Sequence, residues 1–278
     1  MSTGASAKGT VVVGGQHVRV GIRPGRLNGR RTGPARVPLL LINGIGASIE
    51  LLEPFSREVD PAVDVIMFDP PGVGGSAPPP RPYRFTGLTR LIGRILTALG
   101  HPRADVLGIS WGGGVAQHFA AFRGTQCRRL VLVSTATGAL MVPARPSVLA
   151  RMVTPRRYLD REYLLSVAGD LYGGSARAEP ERVTAAMHAD NRVGPPHGYL
   201  LQLAAGAGWT SLPFLPVIRQ RTLILAGDDD PIIPLANARI MHRLIPDSRL
   251  HIYRGGHLGL VTEATELAPL VNDFLAAP

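Results

Sequence analysis

One cysteine, Cys127, and one lysine, Lys8, occur in a chain of 278 residues. A single thiol excludes an internal disulfide framework and a cysteine-based metal cluster. Cys127 lies between a helix-like stretch and the apolar run that begins at Leu130, so it reads as a packed side chain rather than a nucleophile. Aromatic residues make up only 5% of the chain. No basic stripe interleaved with aromatics is present, and nucleic acid is not expected as a partner. No apolar run reaches the roughly 18 residues that a membrane span needs. Met1 to Gly9 is small and polar without an apolar core, so no secretory signal is expected and the chain is placed in the cytoplasm. Metal and phosphate-binding patterns such as H-E-x-x-H, the P-loop and the EF-hand are missing as well, so no metal is expected. Gly72-Val73-Gly74-Gly75 follows an apolar run, but its third glycine comes too early for a dinucleotide fingerprint. It reads as a tight turn, and no cofactor is expected.

Positive charge is in excess, with 30 Lys and Arg against 20 Asp and Glu. The arginines are spread along the chain, with short clusters at Arg30-Arg31, Arg128-Arg129 and Arg156-Arg157. They read as a solvated basic face; the functional alternative is attraction to an anionic surface such as a phospholipid layer.

A hydrophobic content of 45% with 18% charge fits a globular chain that can bury a substantial core. Thr10 to Val13 and His17 to Ile22 flank Gly14-Gly15 as a β-hairpin, and Gly25 to Gly33 reads as loop. Val37 to Ile42 and Val63 to Phe68 are continuous apolar runs, as expected of strands buried on both faces of a parallel sheet. A helix over Gly87 to Leu99, a strand at Asp105-Val106-Leu107, a helix over Val115 to Phe122 and a strand over Leu130 to Ser134 follow. This alternation predicts an α/β fold with a mainly parallel, doubly wound sheet. It stops between about Gly138 and Pro216 and resumes with the strand Thr222 to Ala226, the helix Ala236 to Leu244, the strand Arg249 to Tyr253 and a helix from Glu263 to Phe274. The expectation is a single domain, 1–278, with a mainly helical lid, 138–216, inserted over the carboxyl end of the sheet, where ligands bind in such folds.

Gly108-Ile109-Ser110-Trp111-Gly112 joins a predicted strand to a predicted helix and reads as a nucleophile elbow: a sharp turn lifts the serine oxygen out of the sheet, and small flanking residues permit the turn. Such a serine needs an imidazole to take its proton and a carboxylate to orient that imidazole, in the chain order Ser, acid, His. Beyond Ser110, His118 is too close along the elbow helix. His188 and His197 fall in the lid, His242 in a helix and His251 in a strand. His257 follows Gly255-Gly256 after the last strand and is the candidate base. Asp228-Asp229-Asp230 follows the strand Thr222 to Ala226. Asp230 is the preferred acid because the turn runs into Pro231-x-x-Pro234, with Asp229 as the alternative. Negative charge on a tetrahedral oxygen needs preorganised donors, and the backbone N–H groups of Trp111 and Ile45, in the loop Asn43-Gly44-Ile45-Gly46, are the candidates. Asn43, Gly44, Met141 and Trp209 are expected to contact substrate.

Over nearly its whole length the chain resembles the α/β-hydrolase family, and more narrowly the intracellular medium-chain-length polyhydroxyalkanoate depolymerases. The stretches that carry the resemblance are Asn43-Gly44-Ile45-Gly46-Ala47, Pro70 to Ser76, Arg81-Pro82-Tyr83-Arg84-Phe85, Gly108 to Gly113, Thr154-Pro155-Arg156-Arg157-Tyr158, Gly208-Trp209-Thr210-Ser211 and Leu225 to Pro231. Asn43 replaces the histidine of the commoner His-Gly oxyanion loop, but the depolymerase pattern also has Asn-Gly; the segment before Val37 and the block Ala176 to Pro196 depart more freely. The resemblance implies a cofactor-free serine hydrolase associated with polyester granules, cleaving ester bonds through an acyl-enzyme. Leu140, Met141, Met152, Leu164, Leu165, Leu171, Tyr172, Leu201 and Trp209 would line or fill its lid. Two other readings stay open: a general carboxylesterase or carbon–carbon bond hydrolase acting on soluble molecules, and a non-catalytic binding protein on the same scaffold.

Overall fold

Gly14 and Gly15 both adopt positive φ, 57° and 78°, which closes a two-residue hairpin loop whose twist matches that of the flanking strands. The strands are β1 (Ala7–Val13) and β2 (Gln16–Arg23), paired antiparallel from Val13 opposite Gln16. The computed structural model describes residues 6–27, 30–31, 36–188, 192 and 194–277. The stretch from Gly25, expected as loop, contains a short ladder of β3 (Arg26–Leu27) with β4 (Arg30–Arg31). Two residues are too few to show the alternation by which a strand is read from sequence. Residues 28–29 and 32–35 of that expected loop and its flank lie outside the described residues. So do residues 1–5, within the segment from which the lack of a signal was read.

The remaining strands are β5 (Leu39–Ile42), β6 (Val65–Phe68), β7 (Ala104–Ile109), β8 (Cys127–Val133), β9 (Arg221–Gly227) and β10 (Ser248–Tyr253). They form an eight-stranded sheet with β1 and β2 in the order β1-β2-β6-β5-β7-β8-β9-β10, parallel from β6 to β10. β6 lies on one side of β5 and β7 on the other. The chain therefore reverses its winding beside β5, and the loops after β5 and β7 part at the carboxyl edge to leave a crevice.

Helices cover both faces. The chain order is α1 (Glu53–Glu58), α2 (Phe85–Ala98), α3 (Trp111–Phe122), α4 (Pro146–Met152), α5 (Arg156–Leu159), α6 (Arg161–Tyr172), α7 (Ser175–Ala178), α8 (Pro180–His188), α9 (Pro196–Gly206), α10 (Ala236–Leu244), α11 (Gly259–Thr262) and α12 (Ala264–Ala276). Successive side chains of a strand point to opposite faces. Leu40 and Ile42 accordingly join Leu88, Ile92, Val115, Phe119 and Met241 of α2, α3 and α10. Leu39 and Leu41 join Phe55, Leu260, Leu267 and Val271 of α1, α11 and α12. The closing helix expected from Glu263 is preceded by a separate turn, α11, because Glu263 leaves helical geometry. No helix among the described residues is long and apolar enough to cross a membrane.

Between β8 and β9 the described residues carry α4 to α9, and one isolated bridge, Gly138 to Thr210, ties the two ends of this segment together. Leu164, Val167, Leu171, Val183 and Met187 form its own small core, which continues onto Ile45, Leu51, Ile232 and Leu258 of the body. Gly198 of α9 passes so close to the glycine turn after β6 that an added Cβ would lie 1.7 Å from the Gly72 carbonyl oxygen.

Three arginines of the clusters expected at the surface, Arg128, Arg129 and Arg157, prove structural. Arg128 pairs with Asp105 at 2.5 Å, and Arg129 donates to the Phe274 and Leu275 carbonyls at 2.6 and 2.5 Å, satisfying the last turn of α12. Arg157 is buried as well. Cys127 is buried too, and burial with the nearby Asp105 charge pushes its thiol well above the usual range, which leaves it protonated.

Candidate active site

β7 passes into α3 through Ser110, whose φ of 54° and ψ of −122° lie in a region that non-glycine residues rarely occupy. The neighbours allow this only because they lack side chains. A Cβ on Gly108 would lie 2.3 Å from the Gly112 carbonyl oxygen, and one on Gly112 would lie 2.2 Å from the Ile42 oxygen. The strain holds the Ser110 hydroxyl at the sheet edge, where it meets His257.

His257 Nε2 lies 3.1 Å from Ser110 Oγ, and its Nδ1 lies 2.8 Å from Asp230 Oδ2. The second Asp230 oxygen accepts the backbone N–H groups of Ile232 and Ile233 at 2.9 and 2.8 Å, which fixes the carboxylate. The His257 N–H donates to the Tyr172 carbonyl at 2.8 Å, and the Tyr172 ring stacks beside the imidazole at 6.3 Å. Both His257 and Asp230 are buried. With the hydrogen-bonded acid on Nδ1, the imidazole carries its proton there and leaves Nε2 free to accept from serine.

The three consecutive aspartates do different work. Asp228 accepts from Gly255 N at 3.0 Å and so ties the loop before His257. Asp229 turns outward to Arg177 Nε and Nη2 at 2.6 and 2.9 Å and to Gly174 N at 2.8 Å. The Arg177 guanidinium holds the Asp229 carboxyl below the usual carboxylate range. Of the other histidines, His118 is bonded to Trp209 Nε1 at 3.3 Å, His188 to the Arg157 carbonyl at 3.0 Å and His242 to Ser248 Oγ at 2.9 Å.

The loop after β5 faces the same serine. Asn43 Nδ2 donates to the Ser48 carbonyl at 2.6 Å and its Oδ1 accepts Gly44 N at 2.8 Å, so this side chain shapes the turn. Ser110 Cβ lies 3.6 Å from where a Gly44 Cβ would stand. Among the described residues, neither the Ile45 nor the Trp111 N–H has an acceptor. Both donors are open to an incoming oxygen, which would satisfy them together. Two residues that the sequence reading did not single out hold this loop. Tyr158 Oη donates to the Ile45 carbonyl at 2.7 Å. Gln202 Oε1 accepts Gly46 N at 2.7 Å, while the Gln202 carbonyl accepts Trp111 Nε1 at 2.9 Å. No local pattern announces such contacts, because they bridge about 90 to 160 residues of sequence.

Ser110 and His257 open onto a cavity of about 30 Å³ that Asn43, Gly44, Ile45, Met152, Arg157 and Tyr172 also line. Trp209 and Met141, expected beside the substrate, do not line it. Trp209 packs on Phe85 at 4.7 Å and over Gly114 on the flank of α3. Met141 sits in the turn after Gly138. Both lie beside the Gly138–Thr210 bridge, which closes the segment at its root. Arg157, expected on a solvated basic face, is only 1% exposed and belongs to the cavity wall.

Residues 37–264 match the model of a family described as alpha/beta hydrolase fold. The chain is 47% identical to a poly(3-hydroxyalkanoate) depolymerase of Ectopseudomonas oleovorans, across 96% of this chain and 91% of that protein. It is 31% identical to a 2-hydroxy-6-oxo-2,4-heptadienoate hydrolase of Pseudomonas putida (strain F1), across 66% of this chain and 67% of that protein. Among solved structures, the enol-lactonase of Burkholderia xenovorans LB400 superposes with a TM-score of 0.80 at 22% identity, covering 97% of this chain and all of that one. The fold, the family match and the extent of these likenesses establish that the chain belongs to the alpha/beta hydrolase family and is a hydrolase.

Proposed function

We propose that this hydrolase cleaves the ester bonds of a medium-chain-length polyhydroxyalkanoate by acyl transfer. The observation that carries the reading is the unbroken line of hydrogen bonds from Ser110 Oγ through His257 to Asp230. Ser110 Oγ attacks the ester carbonyl as His257 Nε2 takes its proton, and Asp230 stabilises the imidazolium that forms. The carbonyl oxygen becomes an oxyanion held by the Ile45 and Trp111 N–H groups. The carbon–oxygen ester bond then breaks, the proton on His257 passes to the leaving alkoxide, and an acyl-serine remains. Water, deprotonated by His257, attacks that acyl group and restores Ser110. The steps need no cofactor or metal.

The segment 138–216 acts as a lid in this reading, and the polyester as the substrate class is supported by the 47% identical relative, which spans 96% of the chain. The place of action is then the surface of a polyester granule inside the cell. A soluble-ester hydrolase would use the same three side chains, and one experiment separates the two. Purified protein is added to suspensions of a medium-chain and a short-chain polymer, with the Ser110→Ala variant beside it. Turbidity should fall on the medium-chain suspension only, and the variant should lose on the order of a millionfold in turnover. Rapid hydrolysis of short nitrophenyl esters with no clearing of either suspension would favour the soluble-ester reading.

A further inference from the structure

Arg157 carries a charge that it keeps at any pH the fold survives, and it is almost wholly buried. A buried cation is unfavourable unless something answers it. The other buried arginines find carboxylates or several backbone carbonyls, although the Arg23 Nε also has no partner. Arg19 reaches Glu50 and Asp69, Arg23 reaches three backbone carbonyls, and Arg129 caps the end of α12. Among the described residues no carboxylate pairs with Arg157. Its Nη1 donates to the Tyr199 hydroxyl at 2.9 Å and the Thr154 carbonyl at 3.3 Å. The rings of Tyr158 and Tyr199 lie 4.7 and 5.2 Å from its central carbon, which holds the guanidinium plane in place. Its Nε is buried without a hydrogen-bond partner, and the Tyr172 hydroxyl, buried with no acceptor of its own, lies within reach of the guanidinium.

These unanswered donors share a cavity with the reacting groups. Arg157 and Tyr172 line the same space as Ser110 and His257, and Tyr172 stacks on the His257 ring. A planar guanidinium with an unpaired Nε–H beside a tyrosine hydroxyl that has no other partner matches a carboxylate. Resting on the polyester reading above, we infer that Arg157 and Tyr172 bind the free carboxylate end of the chain, so that the enzyme cuts the ester next to that end. A space of about 30 Å³ admits a carboxylate-sized group, and entry of the whole terminal unit requires Leu51, Met152 and Leu258 to part.

The reaction then has a direction. The terminal unit is the leaving alcohol, and its carboxylate takes no part in the chemistry. Attack by Ser110 transfers the rest of the chain to the serine and releases one hydroxy acid, its hydroxyl protonated through His257. Water frees a chain one unit shorter, ending in a new carboxylate that is again a substrate.

The test uses the dimer of 3-hydroxyoctanoate with its carboxylate free or as the methyl ester, following cleavage of the internal ester by chromatography. The wild-type protein should show a kcat/KM at least about tenfold higher on the free acid, mainly through KM, as expected for a charge-assisted pair. In Arg157→Gln the ratio of the two should fall to near one, and Arg157→Lys should restore part of it, with circular dichroism verifying the fold of each. Equal values on acid and methyl ester in the wild type, or preference for the methyl ester, would overturn the inference without touching the polyester reading. If neither dimer and neither polymer suspension is cleaved, the polyester reading itself fails. The carboxylate site is then read by competition against nitrophenyl ester hydrolysis: free 3-hydroxyoctanoate should inhibit at concentrations where its methyl ester does not, and equal inhibition overturns it.

Discussion

Asp229 and Asp230 are consecutive, yet their carboxylates serve opposite sides of one turn: Asp229 grips Arg177 of the 138–216 segment, and Asp230 grips His257. The division yields a sharp contrast between neighbouring substitutions. Asp230→Asn should lower turnover by about 10⁴, because an amide can hold the imidazole in the wrong tautomer. Asp229→Asn breaks an ion pair whose side chains are 44% and 49% exposed, a contact expected to contribute no more than about 1 kcal/mol, and should cost less than tenfold. Steady-state kinetics on a soluble ester compare the two directly, and a crippled Asp229→Asn enzyme would move the acid by one residue.

Tyr158 and Gln202 hold the loop that presents the Ile45 N–H without touching the reacting atoms themselves. Tyr158→Phe and Gln202→Leu should each lower kcat about ten- to a hundredfold with a smaller change in KM, as expected when an oxyanion donor is displaced. Gln202→Leu also leaves Gly46 N buried without an acceptor and should lower the melting temperature. Unchanged kcat in both variants would remove the 43–46 loop from the oxyanion role.

Acid should destabilise the fold in two steps. Burial lowers the His118 pKa from 6.5 to about 4, and its Nδ1 accepts from Trp209, which a protonated ring cannot do. Between these values the unfolded chain binds the extra proton, so this contribution is complete above pH 6.5 and is lost as pH falls to 4. Burial raises the Glu50 pKa, but Arg19 and Ser48 outweigh it and bring the carboxyl from 4.5 to about 2, so its contribution is complete above pH 4.5 and fades as pH falls toward 2. Melting temperatures measured from pH 8 to 4 should be flat at first and then fall below 6.5. His118→Gln should flatten that fall, and a decline that persists unaltered in the variant would contradict the assignment.

Leu140, Leu149, Val153, Leu159 and Leu200 are large apolar residues left between 41% and 65% exposed, all within 138–216. If this segment docks on a granule, replacing each with Asp should slow hydrolysis of granules about tenfold while hydrolysis of a soluble nitrophenyl ester stays near wild type. Added salt should deepen the granule defect where arginines assist the docking. Matching losses on both substrates would assign these residues to the acyl pocket instead.

Much of this protein is legible in its sequence because the signals are local. Continuous apolar runs mark the buried parallel strands, paired glycines mark the hairpin turn, and Gly108 and Gly112 are small because the Ser110 turn leaves no room for a Cβ. The chain order of serine, acid and histidine likewise narrows the candidates. What lay beyond the sequence depends on approaches between distant segments. Arg156 and Arg157 look alike in the chain, yet Arg156 ends on an exposed pair with Asp160 and Arg157 between two tyrosine rings. Trp209 has the profile of a pocket residue but is drawn to α3 by Phe85 and His118. Which side chains meet the cavity is decided by how the 138–216 segment seats on the sheet edge, and that seating is set by packing and hydrogen bonds that no short stretch of sequence contains.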